Sequence, residues 1–434
     1  MVIARQFYVN RHMVRCYSVS TTYNNRIACK VLVVGGGAGG CSVAWRLSRA
    51  LRGNDIIVLE PSQVHYYQPL FTLVAAGIKD ISKNKRPLES VLPRNVVWLR
   101  DHAEEFDPCN NVVHTRCGYQ VHYDYMVVGI GLKNDYDKIP GLKQELDNPI
   151  SRVSTVYAAG YCEKVWNCLR HFGGGHAVFT FPKQPGKCPG AAQKIMYLAD
   201  DYWRKNKIRS ISNITYNTAT KSIFGVPKYA TALEKVASCR NIVVNCNAEL
   251  IEIAGSCAVF ICEDGQRIGL PFNFLHVTPP MSPPDCLTRC AALVTDSGYL
   301  DVDRSTLQHR RYRNVFGIGD CTSTPNSKTA AAIGPQGYVV AGNLASVMRG
   351  AEPTGAYSGY GACAILTSYR AGMLAEFQYD KQLCSTFPFD QSKERRLFYN
   401  MHTHCFPYLY WNKLLKGKWN GPSTIRKIIN PFHK

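Results

Sequence analysis

Lys30-Val-Leu-Val-Val-Gly35-Gly36-Gly37-Ala38-Gly39-Gly40 is the stretch on which the rest of the chain turns. Five residues rich in β-branched side chains read as a buried strand. A glycine run follows, and a helical pattern is predicted over Ser42–Leu51. Gly35, Gly37 and Gly40 fit G-x-G-x-x-G. The first glycine makes a tight turn, the second lets a pyrophosphate approach the backbone, and the third lets the helix pack close to the sheet. A second strand, predicted over Asp55–Glu60, ends in a carboxylate about 20 residues after the turn, where it can bind ribose hydroxyls. Together these features predict the first βαβ unit of a dinucleotide-binding fold. Ala38 and Gly39 are placed in the same phosphate turn.

Further along, short β-branched runs keep alternating with helical patterns, as in an α/β protein. Strands are expected at Tyr123–Gly129, His176–Phe181, Asn213–Asn217, Ile242–Asn247 and Val315–Asp320, with a helix near Ala191–Lys205. This pattern divides the chain into a first Rossmann part over 29–150, a second Rossmann-like domain over 151–285, a return to the first over 286–356, and a C-terminal region over 357–434. The Pro-rich Thr278–Asp285 reads as an extended connector.

Composition narrows the classes. With 434 residues, 46% hydrophobic and 19% charged, the chain is globular rather than disordered. A net charge of +20 favours an anionic partner, but no nucleic-acid module is recognisable. Eighteen cysteines include no C-x-x-C pair and no Cys/His cluster at zinc spacing, so no metal site is expected. The first thirty residues carry Arg5, Arg11, Arg15, Arg26 and Lys30 without an acid, and hydroxyls at Ser18, Ser20, Thr21 and Thr22. That is the pattern of a mitochondrial transit peptide, placed over 1–28, with Arg15-Cys-Tyr-Ser18 like a processing site. No apolar run approaches the ~18 residues of a spanning helix, so membrane contact would be peripheral or monotopic.

Two further motifs specify the chemistry. Arg313-Asn-Val-Phe-Gly317-Ile-Gly319-Asp320 resembles the second fingerprint of flavoproteins with two dinucleotide domains, in which the strand-end aspartate binds the ribityl chain. Paired with the distant Gly-rich turn, it indicates FAD. Lys328, Thr329, Ala330 and Ala331 would begin a helix aimed at the flavin ring. In the second unit, the strand His176–Phe181 is not followed by a Gly-rich loop, which argues against nicotinamide binding there. A cysteine, Cys188, stands at the helix start instead. The helix terminus and nearby Lys187 would favour its thiolate.

These residues resemble the sulfide:quinone oxidoreductases of eukaryotic mitochondria. The matching strings are Glu60-Pro-Ser, His65-Tyr-Tyr-Gln68-Pro69, Phe179-Thr-Phe-Pro, Lys187-Cys188, Gln193-Lys-Ile-Met-Tyr-Leu198, His276-Val-Thr-Pro-Pro-Met-Ser-Pro-Pro-Asp285, Leu307-Gln-His-Arg-Arg-Tyr312 and Thr386-Phe-Pro-Phe-Asp-Gln-Ser-Lys-Glu-Arg395. They run from about residue 30 to the C-terminus. The resemblance implies a redox pair flanking the flavin, Cys188 and Cys363. It implies FAD contacts at Ala38, Gly39, Glu60, Gln68, Asp320 and Lys328–Ala331, and a backbone contact at Ala103. It also implies a route. In the oxidised enzyme Cys188 and Cys363 are linked, directly or through an extra sulfur, and hydrosulfide attacks Cys363 and leaves a persulfide. Cys188 departs as thiolate towards the flavin. A sulfur acceptor (glutathione, sulfite or another thiol) removes the outer sulfur, and electrons pass to ubiquinone. Two departures stand out: Gly129-Ile130-Gly131 in place of Ala-x-Gly, and Pro335, whose position predicts either a late helix start or a kink.

The C-terminal Phe406–Trp419 and Ile425–Ile429 interleave aromatic and aliphatic residues with Lys and Arg. They suit an amphipathic segment on an anionic leaflet, placing the protein at the inner mitochondrial membrane and framing a quinone entrance; the alternative is a basic helix packed on the protein. His65, His276 and His309 read as structural. The competing functions are an NADH:quinone reductase on the same scaffold and a non-catalytic flavin-binding redox sensor at the membrane surface.

Overall fold

The computed structural model describes residues 25–51, 55–183 and 186–430. Most of the predicted leader, 1–24, lies outside that range. Its last residues do not behave as leader. Arg26–Val34 is one strand, and Arg26, Ile27 and Ala28 pair with Gln120, Val121 and His122. The fold therefore starts before the boundary at 29. The outer half of this strand alternates exposed and partly buried residues while the inner half is fully buried. Only the inner half carries the continuous apolar signal that marks a buried strand.

The first sheet has seven strands. Val97–Leu99, Ile56–Leu59, Arg26–Val34 and Gln120–Val128 lie side by side in parallel. The far edge of Gln120–Val128 is shared. Its first half pairs antiparallel with Val112–Thr115, beyond which lies Ala103–Asp107. Its second half pairs in parallel with Val315–Gly317, bringing a segment distant in sequence into the sheet. The first helix is Ala38–Leu47, shifted from the predicted 42–51. It begins at the turn because Gly39 and Gly40, poor helix formers, occupy the close approach to the sheet: a Cβ on Gly40 would strike the Gly35 carbonyl oxygen. Packing overrides propensity here.

The second sheet is parallel, in the order Val153–Ser154, Phe274–His276, Gly175–Phe181, Ser212–Thr218, Ile242–Cys246. A three-stranded antiparallel sheet, Ala248–Ala254, Cys257–Cys262 and Arg267–Pro271, follows it. The helix Gly190–Lys205 packs on the second sheet and buries Ile195, Met196, Tyr197, Leu198 and Trp203. Beyond the helix Ile333–Met348 come the hairpin Gly361–Leu366 with Gly372–Phe377, then a continuous helical run, Arg396–Leu414, that includes π-turns at Met401–Cys405 and Tyr410–Leu414. Pro407 sits between the π-turns, which accommodate its missing N–H.

The C-terminal run divides the membrane expectation. Tyr410, Trp411, Leu414 and Leu415 are buried. Tyr410 stacks on Tyr67 at 4.1 Å, and its hydroxyl lies 2.6 Å from His65 Nε2. Arg46 and Arg49 donate to the carbonyls of Trp419, Gly417 and Lys416. Most of Phe406–Trp419 is thus packed on the first domain, as the alternative reading had it. The apolar residues facing outward are Tyr408, Ile425, Ile428 and Ile429. Among the described residues, no helix is long and apolar enough to cross a membrane.

Candidate active site

The floor of the site is the turn after the first strand. Gly35 has φ of +104°, and a Cβ there would sit 2.6 Å from the Gly129 carbonyl oxygen. A Cβ on Gly37 would meet nothing within 4 Å, so the turn opens onto free space at the start of the first helix. Glu60 is clamped where a ribose carboxylate is expected: it accepts from the N–H of Gly36 and of Ser62, both at 2.7 Å. Gly129, the first departure, is explained locally. A Cβ there would press on the Ile318 side chain at 3.0 Å, so this larger neighbour favours glycine at the position.

Above this floor is a cavity of about 900 Å³. Gly35, Gly37, Ala38, Gly39, Glu60, Gln68, Asp320, Lys328, Thr329, Ala330, Ala331, Cys188 and Cys363 all line it. Gly40 does not, since its role is helix packing. Ala103 does not either. It lies on the outermost antiparallel strand of the first sheet, paired with Thr115, so the expected backbone contact is not placed at the cavity. Asp320 follows the strand Val315–Gly317. Burial pushes its carboxyl above the usual range, and Lys187 and Lys328 pull it back. Lys328 spends its ammonium on the carbonyls of Thr322 and Thr324 and so braces the loop behind Asp320.

The second departure is settled by geometry. Ala330–Ala332 form a tight 3₁₀ turn, and the α-helix begins at Ile333. Pro335 falls in the first α-turn, where its missing N–H costs nothing. The helix starts late rather than kinking, and Ala330 and Ala331 reach the cavity from the preceding turn.

The two cysteines, 175 positions apart, meet with Sγ atoms 3.3 Å apart. Two local structures bring them together. The Cys188 loop lies alongside the Lys328 loop, with Cys188 N–H donating to the Lys328 carbonyl at 2.8 Å. The hairpin then presents Cys363 over Gly190, where any Cβ would run into the Cys363 sulfur. Cys188 is held below the ordinary thiol range, first by the hydrogen bond it shares with Cys363 and then by Lys194 and the Gly190 N–H, against burial. Cys363 is pushed up, chiefly by that same hydrogen bond and by burial. The lysine that assists Cys188 is Lys194, buried on the helix, and not the expected Lys187, which faces Asp320.

Sequence reasoning missed Lys194, Gly190, His402, Tyr360 and Glu376. The helical register after Cys188 could have revealed Lys194. His402 comes from a π-turn and is buried in the cavity wall, its Nε2 without a hydrogen-bond partner among the described residues; burial first, with Lys194 nearby, holds its pKa well below the ordinary imidazole range. His65, His276 and His309 each bond backbone groups.

The hairpin also partitions the cavity. Cys363 pairs with Ala375, and its neighbours Ala362 and Ala364 pair with Glu376 and Leu374. Alternation along a strand turns Cys363 to one face and Ala362, Ala364, Leu374 and Glu376 to the other. All but Ala375 line the cavity. The second face opens on an apolar lobe with Phe387, Met401, Phe406 and Tyr408.

Comparison with known proteins agrees with this architecture. Residues 29–170 match the family model of pyridine nucleotide-disulphide oxidoreductases. The chain is 44% identical over 405 residues to the mitochondrial sulfide:quinone oxidoreductase of Mus musculus, covering 92% of this chain and 89% of that protein. It is 36% identical over 429 residues to that of Schizosaccharomyces pombe, covering 93% of each. The X-ray structure of sulfide:quinone oxidoreductase from Aquifex aeolicus superposes with a TM-score of 0.79 at 20% identity, over 93% of this chain and 95% of that one, which speaks to the fold. With this identity sustained over nearly its whole length, the chain belongs to the mitochondrial sulfide:quinone oxidoreductase family.

Proposed function

We propose that this protein oxidises hydrogen sulfide through Cys188 and Cys363 and delivers the electrons through FAD to ubiquinone. The observation that carries the reading is the contact of two distant sulfurs, 3.3 Å apart, in the wall of a cavity entered by a dinucleotide turn. The residues present suit FAD. The open Gly37 position and the helix start take the pyrophosphate, Glu60 the ribose, Asp320 the ribityl chain, and the Ala330–Ala331 turn the ring. When bound, the flavin supplies a two-electron acceptor that can pass electrons to quinone.

The two sulfurs stand unbonded at 3.3 Å; in the oxidised form of the proposed cycle they are linked, directly or through an extra sulfur, and the cycle runs from the direct bond. Hydrosulfide attacks Cys363, the S–S bond breaks, and its electron pair leaves on Cys188. Cys363 then carries a persulfide, and Cys188 is a thiolate. A low-pKa thiol leaves faster in such exchange, and Lys194 with the Gly190 N–H supplies that stabilisation. A nucleophile (glutathione, sulfite or another thiol) takes the outer sulfur and leaves Cys363 as thiolate. Re-formation of the S–S bond between Cys188 and Cys363 gives up two electrons, which a bound flavin would accept. The second Rossmann unit brings Cys188 where a nicotinamide-using relative would have a phosphate loop, so NADH is disfavoured as donor.

A mitochondrial address is supported by the names of the relatives and by the basic, acid-free leader. Attachment to the inner-membrane surface is supported by Tyr408 and Ile425, which are both exposed and part of the cavity wall. An apolar rim of that kind suits entry of a lipid-soluble quinone from a bilayer. Anaerobic sulfide should bleach the flavin of the purified protein, and NADH should not. Cys363→Ser should retain the flavin yet lose sulfide-dependent quinone reduction. Undiminished turnover in that variant would end the dithiol route.

A further inference from the structure

The last helix, Ser423–Ile429, is built inside out. Ile425, Ile428 and Ile429, at i, i+3 and i+4 on one stripe, are 42%, 73% and 38% exposed, while the side chain of Arg426 is only 15% exposed. A helix on a water-facing surface buries the isoleucines and exposes the arginine. Here the guanidinium turns inward. Its Nη2 lies 3.7 Å from Glu376 Oε1 and its Cζ 5.8 Å from the centre of the Tyr360 ring. Arg426 Nε and Nη2 have no hydrogen-bond partner among the described residues.

Glu376 does not need this arginine. Its carboxylate already accepts from the Tyr360 hydroxyl at 2.7 Å, from the Thr386 hydroxyl and N–H at 2.7 and 2.8 Å, and from Gln391 Nε2 at 3.0 Å. Four donors fill what a carboxylate accepts. The pair is therefore one-sided: Arg426 depends on Glu376, and what the contact holds is the helix. Glu376 and Tyr360 line the cavity, as do Pro422 and Ile425 of the helix segment.

Resting on the reading that this lobe receives quinone, we infer that Arg426 is a positioning residue for the quinone half of the reaction. Docked on Glu376 and Tyr360, it seats the terminal helix as a wall of the lobe and so sets quinone affinity. It has no part in the attack on the cysteine pair, because Cys363 points to the opposite face of the hairpin.

Arg426→Gln and Arg426→Lys in the full-length protein, assayed with a short-chain ubiquinone and by anaerobic stopped flow, test this. R426Q should raise the quinone KM by about five-fold or more with kcat changed by less than about two-fold. The rate of flavin bleaching by sulfide should stay as in the unmodified protein, and R426K should recover most of the lost affinity. An unchanged KM, or slowing of bleaching in parallel, overturns the inference. If R426Q does not fold, Arg426→Met, which keeps the apolar stem but has no charge to offer Glu376, takes its place with the same expected rise in quinone KM, and an unchanged KM overturns the inference. Ala364→Trp, which fills the lobe, separates the two claims. If A364W leaves quinone reduction intact, the lobe is not the quinone site. If it blocks quinone reduction while R426Q leaves KM untouched, only the role of Arg426 fails.

Discussion

At Gly190 a single hydrogen atom in place of a side chain decides whether the dithiol can form. Its missing Cβ leaves the space that the Cys363 sulfur occupies, and its N–H faces both sulfurs. Gly190→Ala should therefore displace Cys363 while leaving the dinucleotide turn untouched. Flavin content should match that of the unmodified protein, and the rate of sulfide-driven bleaching should fall about 100-fold, the usual penalty for misplacing a reacting atom by an ångström. A rate within about two-fold of the original would show that the pair reaches its geometry some other way. Lys194 acts at the same scale: buried on the helix, it favours negative charge on the sulfur pair, including Cys188, the sulfur that must leave.

Between elements, distant segments are joined by a few polar anchors. The fully buried Asp200, on the Cys188 helix, accepts from Arg204 and Arg209, with Arg240 at 3.7 Å. Arg240 continues to Glu394 and to the Thr367 carbonyl, and so ties the second Rossmann unit to the hairpin region. Removing one partner of a buried charge cluster leaves the others uncompensated. Asp200→Asn should destabilise the fold by about 3 kcal/mol, read as a lower urea midpoint, and should loosen the helix relative to the hairpin that carries Cys363. An unshifted midpoint would mean that the arginines find replacement partners. The late start of the helix Ile333–Met348 belongs to this scale too. Pro335 forbids an earlier α-helical start, and the three-alanine turn before it fills the gap and reaches the cavity.

Across the whole molecule, a net charge of +20 coincides with an apolar rim at one cavity mouth. Binding to vesicles containing anionic lipid should be strong in dilute buffer. It should weaken as salt approaches about 0.5 M, where the screening length falls to a few ångströms. Ile428→Asp should reduce binding at every salt concentration without changing bleaching by sulfide in detergent. Vesicle pelleting measures both, and equal binding of the variant would remove the terminal helix from the contact surface.

Much of this was legible before any coordinates. The Gly-rich turn, Glu60, Asp320 and both cysteines are marked by local patterns or by strings shared with a family, because strand, turn and helix signals act over a few residues. Other features were not. The first strand began inside the assumed leader, because its outer half is amphipathic. Ala103, expected to meet the cofactor through its backbone, lies on the edge strand of the first sheet and is not among the residues lining the cavity. The aromatics of Phe406–Trp419 read as membrane-facing, yet most of them pack on the first domain.

The chain alone determined a dinucleotide-binding α/β scaffold and the identity of its two candidate sulfurs, since short-range periodicity and glycine stereochemistry suffice for the first. Only the tertiary structure decided that 188 and 363 touch, that Lys194 rather than Lys187 serves the thiolate, and that the hairpin sets the sulfur side apart from an apolar lobe. Those are contacts between segments far apart in sequence, created by how sheets and loops pack, and no local pattern encodes them.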